Sequence, residues 1–402
     1  MSRGGVALCY LLLLAAVVEG KYERFRLCHV IPASKALQAQ RTNDSYLASR
    51  LFEEEIGLDR RAQEAFDLKE NVLTQTKEDY MFCLGAIKPF SMLGEHRPFF
   101  ERLPSILPKP DDYETVLNFA KMAANSYVVR SVGGWRNTSS YVDEDGFGWN
   151  STGLRGHVFV NELRTIVIIS FKGTSTILHG GETVARDKYM DNIMFSCCCA
   201  RVDISWTPVC GCFQGSTQGS HACDEKCLQA VVRSDEDSYY LEALAVTQLV
   251  ILKYPRAQIW FTGHSLGGAI AGLMAVTVKR TAAITFSSPG PYLYSRRLGV
   301  PQDPDGSQWR YPVWNFGLSS DPIYMGTCTG LTTSCYLSGY AMETACRHGM
   351  DCLFDIKSWQ PDVSTHRIDW MIDNVLAKPE KYPLPVCMPN RNCTDCHKWK
   401  FA

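Results

Sequence analysis

Through the middle of the chain, short apolar runs alternate with longer stretches whose apolar residues recur every three or four positions. The runs at 157–160, 165–171, 259–261, 282–286 and 313–316 are rich in β-branched and aromatic residues and read as strands, the first two joined by the turn Asn161-Glu162-Leu163-Arg164. Val116, Leu117, Ala120, Ala124 and Tyr127 share one helical face behind a cap at Asp111-Asp112. Residues 238–254 form a long apolar-faced helix halted by Pro255, and Ile368, Met371, Ile372, Val375 and Leu376 follow the i, i+3, i+4, i+7, i+8 rule of a last helix. Strands that alternate with helices predict an α/β fold, a mostly parallel sheet with helices on both faces. A Gly-, Trp- and Asn-rich loop reaches to about Gly156, a cysteine-dense insertion occupies 196–236, and the tail 379–402, rich in Pro and Cys, reads as irregular. Residues 21–110, charged and mixed with helical periodicity around 62–73, read as an N-terminal extension to a main domain at 111–378.

The chain is organised around residues 257–275, a strand, a sharp turn and a helix. Ile259, Trp260 and Phe261 are bounded by Thr262 and Gly263, and Ile270, Leu273 and Met274 resume at helical spacing. Between them stands Gly263-His264-Ser265-Leu266-Gly267, a pattern that places a serine on a strained strand-to-helix turn. Glycines 267, 268 and 272 each cost a helix roughly 1 kcal/mol relative to Ala, which implies close approach of another backbone.

Composition narrows the setting. The 402 residues, 46% of them apolar, can bury a large core, and a net charge of −1 with acids and bases interspersed gives no reason to expect nucleic acid as a partner. Arg3 precedes an apolar run at 6–18 that ends at Glu19-Gly20-Lys21, the length of a signal peptide's core, so residues 1–20 read as a signal peptide or a signal anchor. Leaving Cys9 with that segment, 16 of the 17 cysteines remain, an even number that suits disulfides in the lumen of the secretory pathway. No paired Cys-x-x-Cys or histidine at finger spacing accompanies the middle group, so no metal is expected. That group holds seven cysteines, and at least one bridge must leave it. Asn43, Asn137, Asn150 and Asn392 each begin a glycosylation sequon.

A nucleophilic serine needs a base to take its proton and an acid to orient that base, and in this architecture the chain order is Ser, Asp, His. His366 lies on a loop just before the last helix and is the candidate base; His397 sits in the tail, and His348, between Cys346 and Cys352, is expected to be held at the surface by a bridge. Asp321 follows the strand at 313–316 and precedes Pro322, which biases it to an extended conformation at a strand's carboxyl end, whereas Asp303, Asp305 and Asp362 read as turns. Donors for an oxyanion would come from the backbone N–H of Leu266 and from Thr174, through its N–H and hydroxyl. Residues 177–195 fit either a surface helix on the core or a lid with an apolar underside.

Phe171-Lys-Gly-Thr-Ser, Gly263-His-Ser-Leu-Gly-Gly-Ala, Asp321 and His366 together resemble the class 3 lipases. Glu114-Thr-Val-Leu-Asn-Phe-Ala-Lys-Met-Ala-Ala-Asn-Ser-Tyr, the triple-cysteine run Asp191-Asn-Ile-Met-Phe-Ser-Cys-Cys-Cys and Ser320-Asp-Pro-Ile-Tyr-Met-Gly-Thr-Cys are similar to the autophagy-related vacuolar members of that family. The resemblance, over about 111–376, implies an α/β-hydrolase fold, a Ser265–His366–Asp321 triad without cofactor, and phospholipase or acylglycerol lipase activity. It also implies phospholipid membranes as partner and a vacuole, lysosome or multivesicular endosome as site. A secreted esterase for non-membrane esters and a non-catalytic membrane-binding protein are the competing readings.

Overall fold

The structure is a computed structural model that describes residues 106–131, 133–175, 183–201, 208–215, 221–235, 238–300, 311–356, 362–391 and 393–402. The N-terminal segment 1–20, the extension to residue 105, Cys28, Cys83, Asn43, Asn392, Asp303, Asp305 and residues 176–182 lie outside them.

Helix α1 (Tyr113–Asn125) starts where the Asp112 carboxylate accepts the Thr115 N–H at 2.8 Å, satisfying one of the four free N–H groups of its first turn. Strands β1 (Tyr141–Phe147), β2 (Gly156–Asn161) and β3 (Ile166–Phe171) form an antiparallel meander. Helix α2 (Val184–Phe195) leads into the cysteine-rich segment, which carries the two-residue strand β4 (Ala222–Cys223) and α3 (Glu225–Ser234). Helix α4 (Tyr239–Lys253) follows, then β5 (Gln258–His264), α5 (Leu266–Thr277), β6 (Ala282–Phe286), α6 (Tyr292–Leu298) and β7 (Val313–Leu318). The chain continues through a short α7 (Ser334–Leu337), β8 (Met350–Phe354), a 3-10 turn (Val363–His366), α8 (Ile368–Met371) prolonged as a π-turn (Ile372–Leu376), β9 (Met388–Pro389) and β10 (Lys400–Phe401). The chain divides into two compact units. All of the elements above lie in one, except that Ala245–Pro255, the greater part of α4, falls in the other.

Eight strands make one sheet in the order β1-β2-β3-β5-β6-β7-β8-β9, parallel from β3 to β8 and antiparallel at both margins. Every residue of β6 and nearly all of β5 are buried, as strands covered by helices on both faces must be. Trp260, Ile284, Phe286 and Phe316 form a core with Val116, Phe119 and Ala123 of α1 and Met371, Val375 and Leu376 of the last helix. This is the expected α/β-hydrolase architecture. Its central parallel strands β3, β5, β7 and β8 all open at their carboxyl ends onto one rim.

Seven disulfides are present among the described residues. The three consecutive cysteines go three ways: Cys197 to Cys396, Cys198 to Cys223 and Cys199 to Cys210, while Cys212 pairs with Cys227. The tail expected to be irregular is stapled by Cys352–Cys387, Cys346–Cys393 and Cys197–Cys396, and it adds β9 to the main sheet and β10 to β4.

Three expectations are corrected. His348 is buried, not held at the surface: its Nε2 meets the Ser295 hydroxyl at 2.8 Å and its ring packs edge-on against Tyr292 and Tyr311, while Cys346 and Cys352 on either side pair with tail cysteines. Beside Gly272 an added Cβ would meet only the Val313 side chain at ordinary contact distance, so the close backbone approach holds at Gly267 but not there. Residues 141–147, expected in a loop, form β1. In residues 184–195 the side chains of Asp187, Met190, Asp191, Ile193, Met194 and Phe195 are buried, so this part of the 177–195 segment is a packed helix. Among the described residues no helix is long and apolar enough to cross a membrane.

Candidate active site

Ser265 sits between β5 and α5 at φ 57°, ψ −126°, a backbone conformation that costs a non-glycine residue of order 1–3 kcal/mol. Two glycines permit the turn: a Cβ on Gly263 would strike the Gly267 carbonyl, and one on Gly267 would strike the backbone of Phe171 and Lys172. The Ser265 N–H donates to the Phe286 carbonyl at 3.0 Å, tying the turn to β6.

The Ser265 hydroxyl lies 2.9 Å from Nε2 of His366, and Nδ1 of His366 lies 2.8 Å from Oδ2 of Asp321. Asp321 reaches this position on the turn after β7, where its Oδ1 accepts the N–H groups of Ile323 at 2.9 Å and Tyr324 at 3.2 Å. Burial pushes this carboxyl up, but the facing His366 imidazole and the Tyr324 N–H outweigh it, so its pKa lies below the ordinary carboxylate value. The acceptor fixes the tautomer: an ionised Asp321 requires the proton on Nδ1, which leaves Nε2 of a neutral His366 as acceptor for the serine hydroxyl. His366 ends the 3-10 turn capped by Asp362, which accepts the Ser364 N–H at 2.8 Å, and the Asp362 N–H donates to Ser320 O at 3.0 Å. The aspartate read as a turn residue therefore ties the His366 loop to the Asp321 turn.

Thr174 follows β3, and its loop lies against the turn, since a Cβ on Gly173 would strike the His264 carbonyl. The Thr174 hydroxyl donates to Oδ2 of Asp191 on α2 at 2.6 Å, and the other oxygen of Asp191 is buried without a hydrogen-bond partner. Burial pushes the Asp191 carboxyl well above its usual range. One turn earlier, Asp187 accepts from Lys172 Nζ at 3.0 Å, the Ser175 N–H at 2.8 Å and the Tyr239 hydroxyl at 2.7 Å, so a buried ionic cluster holds this loop to α2. The other expected oxyanion donor, Leu266, opens α5, where N–H groups of the first turn have no partner within the helix. The structure thus brings Ser265, His366 and Asp321 together and sets the Thr174 loop beside them. Asn137 and Asn150 are exposed, as glycan acceptors must be.

Sequence reasoning passed over His264 and Tyr127. His264 donates from Nε2 to the His366 carbonyl at 2.6 Å and accepts at Nδ1 from the Tyr127 hydroxyl at 2.7 Å. Burial, then the nearby His366, lowers its pKa to about 3, so it stays neutral. The signal was available in part, since His264 stands inside the serine motif and Tyr127 on the apolar face of α1.

This strained serine turn on a parallel sheet, with its histidine and aspartate, is the constellation of a serine ester hydrolase, and the chain belongs to the class 3 lipases. The family profile "Lipase (class 3)" matches residues 211–294. The chain is 42% identical over 308 residues to the Candida glabrata protein named "Putative lipase ATG15", covering 74% of this chain and 59% of that one. It is 43% identical over 307 residues to the protein of the same name from Saccharomyces cerevisiae strain S288c, covering 74% and 58%. The matched region thus spans about three-fifths of the length of these relatives. The crystal structure of Lip2 lipase from Yarrowia lipolytica covers 63% of this chain and 82% of its own at 16% identity with a TM-score of 0.35, too distant to inform the site.

Proposed function

We propose that the protein hydrolyses lipid esters, phospholipids and acylglycerols, in membranes delivered to the lumen of a vacuole, lysosome or multivesicular endosome. The observation that carries the chemistry is the unbroken chain from the Ser265 hydroxyl through His366 to Asp321 on a strained turn. His366 Nε2 takes the hydroxyl proton as Oγ attacks the ester carbonyl, and the imidazolium is stabilised by Asp321. The carbonyl electron pair moves to oxygen, where the N–H groups of Leu266 and Thr174 receive it, while the Thr174 hydroxyl, donating to Asp191, holds that loop in place. When the tetrahedral species collapses, His366 returns the proton to the departing alcohol oxygen, leaving an acyl-serine. Water, deprotonated by the same histidine, then releases the fatty acid and restores Ser265.

Identity to relatives named "Putative lipase ATG15" supports the lipid substrate and the autophagic setting. The sequons at Asn43, Asn137, Asn150 and Asn392 and the disulfides support a lumenal environment. The test is release of fatty acid from phospholipid vesicles by the purified chain and its Ser265→Ala variant. Release by wild type alone supports the reading. Hydrolysis of short soluble esters with none from vesicles favours a secreted esterase, and binding without hydrolysis of either favours a non-catalytic membrane protein.

A further inference from the structure

Three exposed large apolar side chains lie in one segment at the rim of the site: Met325 at 39%, Leu331 at 61% and Leu337 at 75% of full exposure. From Met325 to Met342 the sequence contains no charged residue, although a stretch of 18 at the chain's 21% charged content would hold about four. Water-facing loops are ordinarily rich in charge, and an exposed apolar set without any marks a surface that leaves water. The segment is also built to keep its shape. Cys328 and Cys335 close it, and Thr333 caps α7 by accepting the Tyr336 N–H at 3.3 Å.

Both ends of the segment are fastened to the site. At the start, the Met325 N–H donates to the Asp321 carbonyl at 3.0 Å. At the finish, Lys188 Nζ donates to Ser338 O at 2.8 Å, Asn192 Nδ2 donates to Gly339 O at 3.1 Å, and the Ala341 N–H donates to Asn192 Oδ1 at 2.8 Å. Lys188 and Asn192 belong to α2, the helix whose Asp191 holds Thr174. The segment is therefore bracketed by the triad acid and the support of the oxyanion loop.

We propose that residues 325–340 are a membrane-docking surface that seats Leu331 and Leu337 at the headgroup–acyl boundary of a lipid bilayer and brings the Ser265 site to it. The proposal rests on the lipid-ester reading above and names the surface that delivers that substrate. A bilayer fits better than a protein partner. The exposed tips are Met, Leu, Gly, Ser and Thr, Tyr336 and Tyr340 being only half-exposed, and they present no Arg or Trp anchor of the kind that centres protein interfaces, whereas a fluid bilayer accepts protruding leucines without a complementary groove. The disulfide holds them in place beforehand, so little ordering cost falls on binding. With no charged residue of its own in the segment, and the Lys188 ammonium at its end engaged by the Ser338 carbonyl, docking needs no anionic lipid.

The experiment is sedimentation of the full chain with neutral phosphatidylcholine vesicles at low and high salt. Wild type is expected to bind equally at both. Leu331→Asp with Leu337→Asp should weaken binding about a hundredfold, roughly tenfold for each leucine removed from lipid. Val386→Asp with Met388→Asp, which alters equally exposed apolar residues at the β9 margin, should bind as wild type. Equal binding by the leucine variant, an equal loss in the β9 control, or a loss explained by self-association of wild type would overturn the proposal. Ser265→Ala keeps the two readings apart. Salt-insensitive, leucine-dependent binding without hydrolysis of any ester sinks the catalytic reading alone, while ester hydrolysis with leucine-independent vesicle binding sinks the docking surface alone.

Discussion

His264 donates a hydrogen bond from its side chain to the backbone carbonyl of His366 at 2.6 Å, so the residue preceding Ser265 holds the main chain of the histidine that faces it. Because a carbonyl can only accept, Nε2 carries the proton, Nδ1 is the acceptor, and Tyr127 must donate to it. The Ser265 turn, His366 and α1 are thereby joined through one neutral imidazole.

Tyr127→Phe removes the donor and leaves Nδ1 of His264 buried without a partner. The expected cost is about 1–3 kcal/mol of stability, together with a fall in kcat at nearly constant KM, since the change displaces the base without touching substrate. Thermal denaturation and kinetics on a soluble short-chain ester measure both. His264→Leu should cost more, and adding Tyr127→Phe to it should cost little further. Additive losses would mean that the two residues act separately.

Glu343 couples stability to acid. Its carboxylate accepts the Cys197 N–H at 2.8 Å, and burial pushes its pKa up to about 7 from an ordinary 4.5. The native state therefore binds this proton more tightly than the unfolded chain does, and stability is gained as pH falls from about 7 to 4.5, by up to about 3 kcal/mol. His264 and His348, both lowered to about 3, act in the opposite sense below pH 6.5, because the unfolded chain takes up their protons first. Those contributions are common to wild type and Glu343→Gln, which mimics the protonated side chain. Denaturant melts at pH 7.5 and 4.5 should show wild type gaining on the variant as pH falls, and parallel curves would contradict the assignment.

The disulfides differ in reach. Cys197–Cys396 closes a sequence separation of 199 residues and Cys328–Cys335 one of 7. Loop-closure entropy predicts losses of about 5 and 2.5 kcal/mol when each pair is replaced by alanine. Denaturant unfolding of the two double variants checks the ranking.

The sheet's centre and the grouping of Ser265, His366 and Asp321 were legible in sequence because local rules fix them. The elbow motif dictates its own strand and helix, and Pro322 restricts Asp321. The margins were not legible. β1 carries Asp143, Glu144 and Asp145 on a partly exposed strand with an irregular register there, so neither alternation nor β-propensity marks it. β8 is five residues inside a cysteine-rich stretch. The burial of His348 was not legible because its partners Ser295, Tyr292 and Tyr311 lie about 37 to 56 residues away, and the bridges of Cys346 and Cys352 run to the tail rather than to each other, a connectivity that spacing does not reveal. The pairing of Tyr127 with His264 spans 137 residues and exists only once α1 is folded against the sheet.

The central claim is that Ser265 is the nucleophile that His366 activates. A fluorophosphonate acyl mimic, followed by mass mapping of the digested protein, reads this directly. A single adduct is expected on the peptide containing Ser265, absent in Ser265→Ala, formed at least about a hundredfold more slowly in His366→Ala, and matched one for one by loss of ester hydrolysis. An adduct on another residue, or ester hydrolysis that survives in Ser265→Ala, would contradict it.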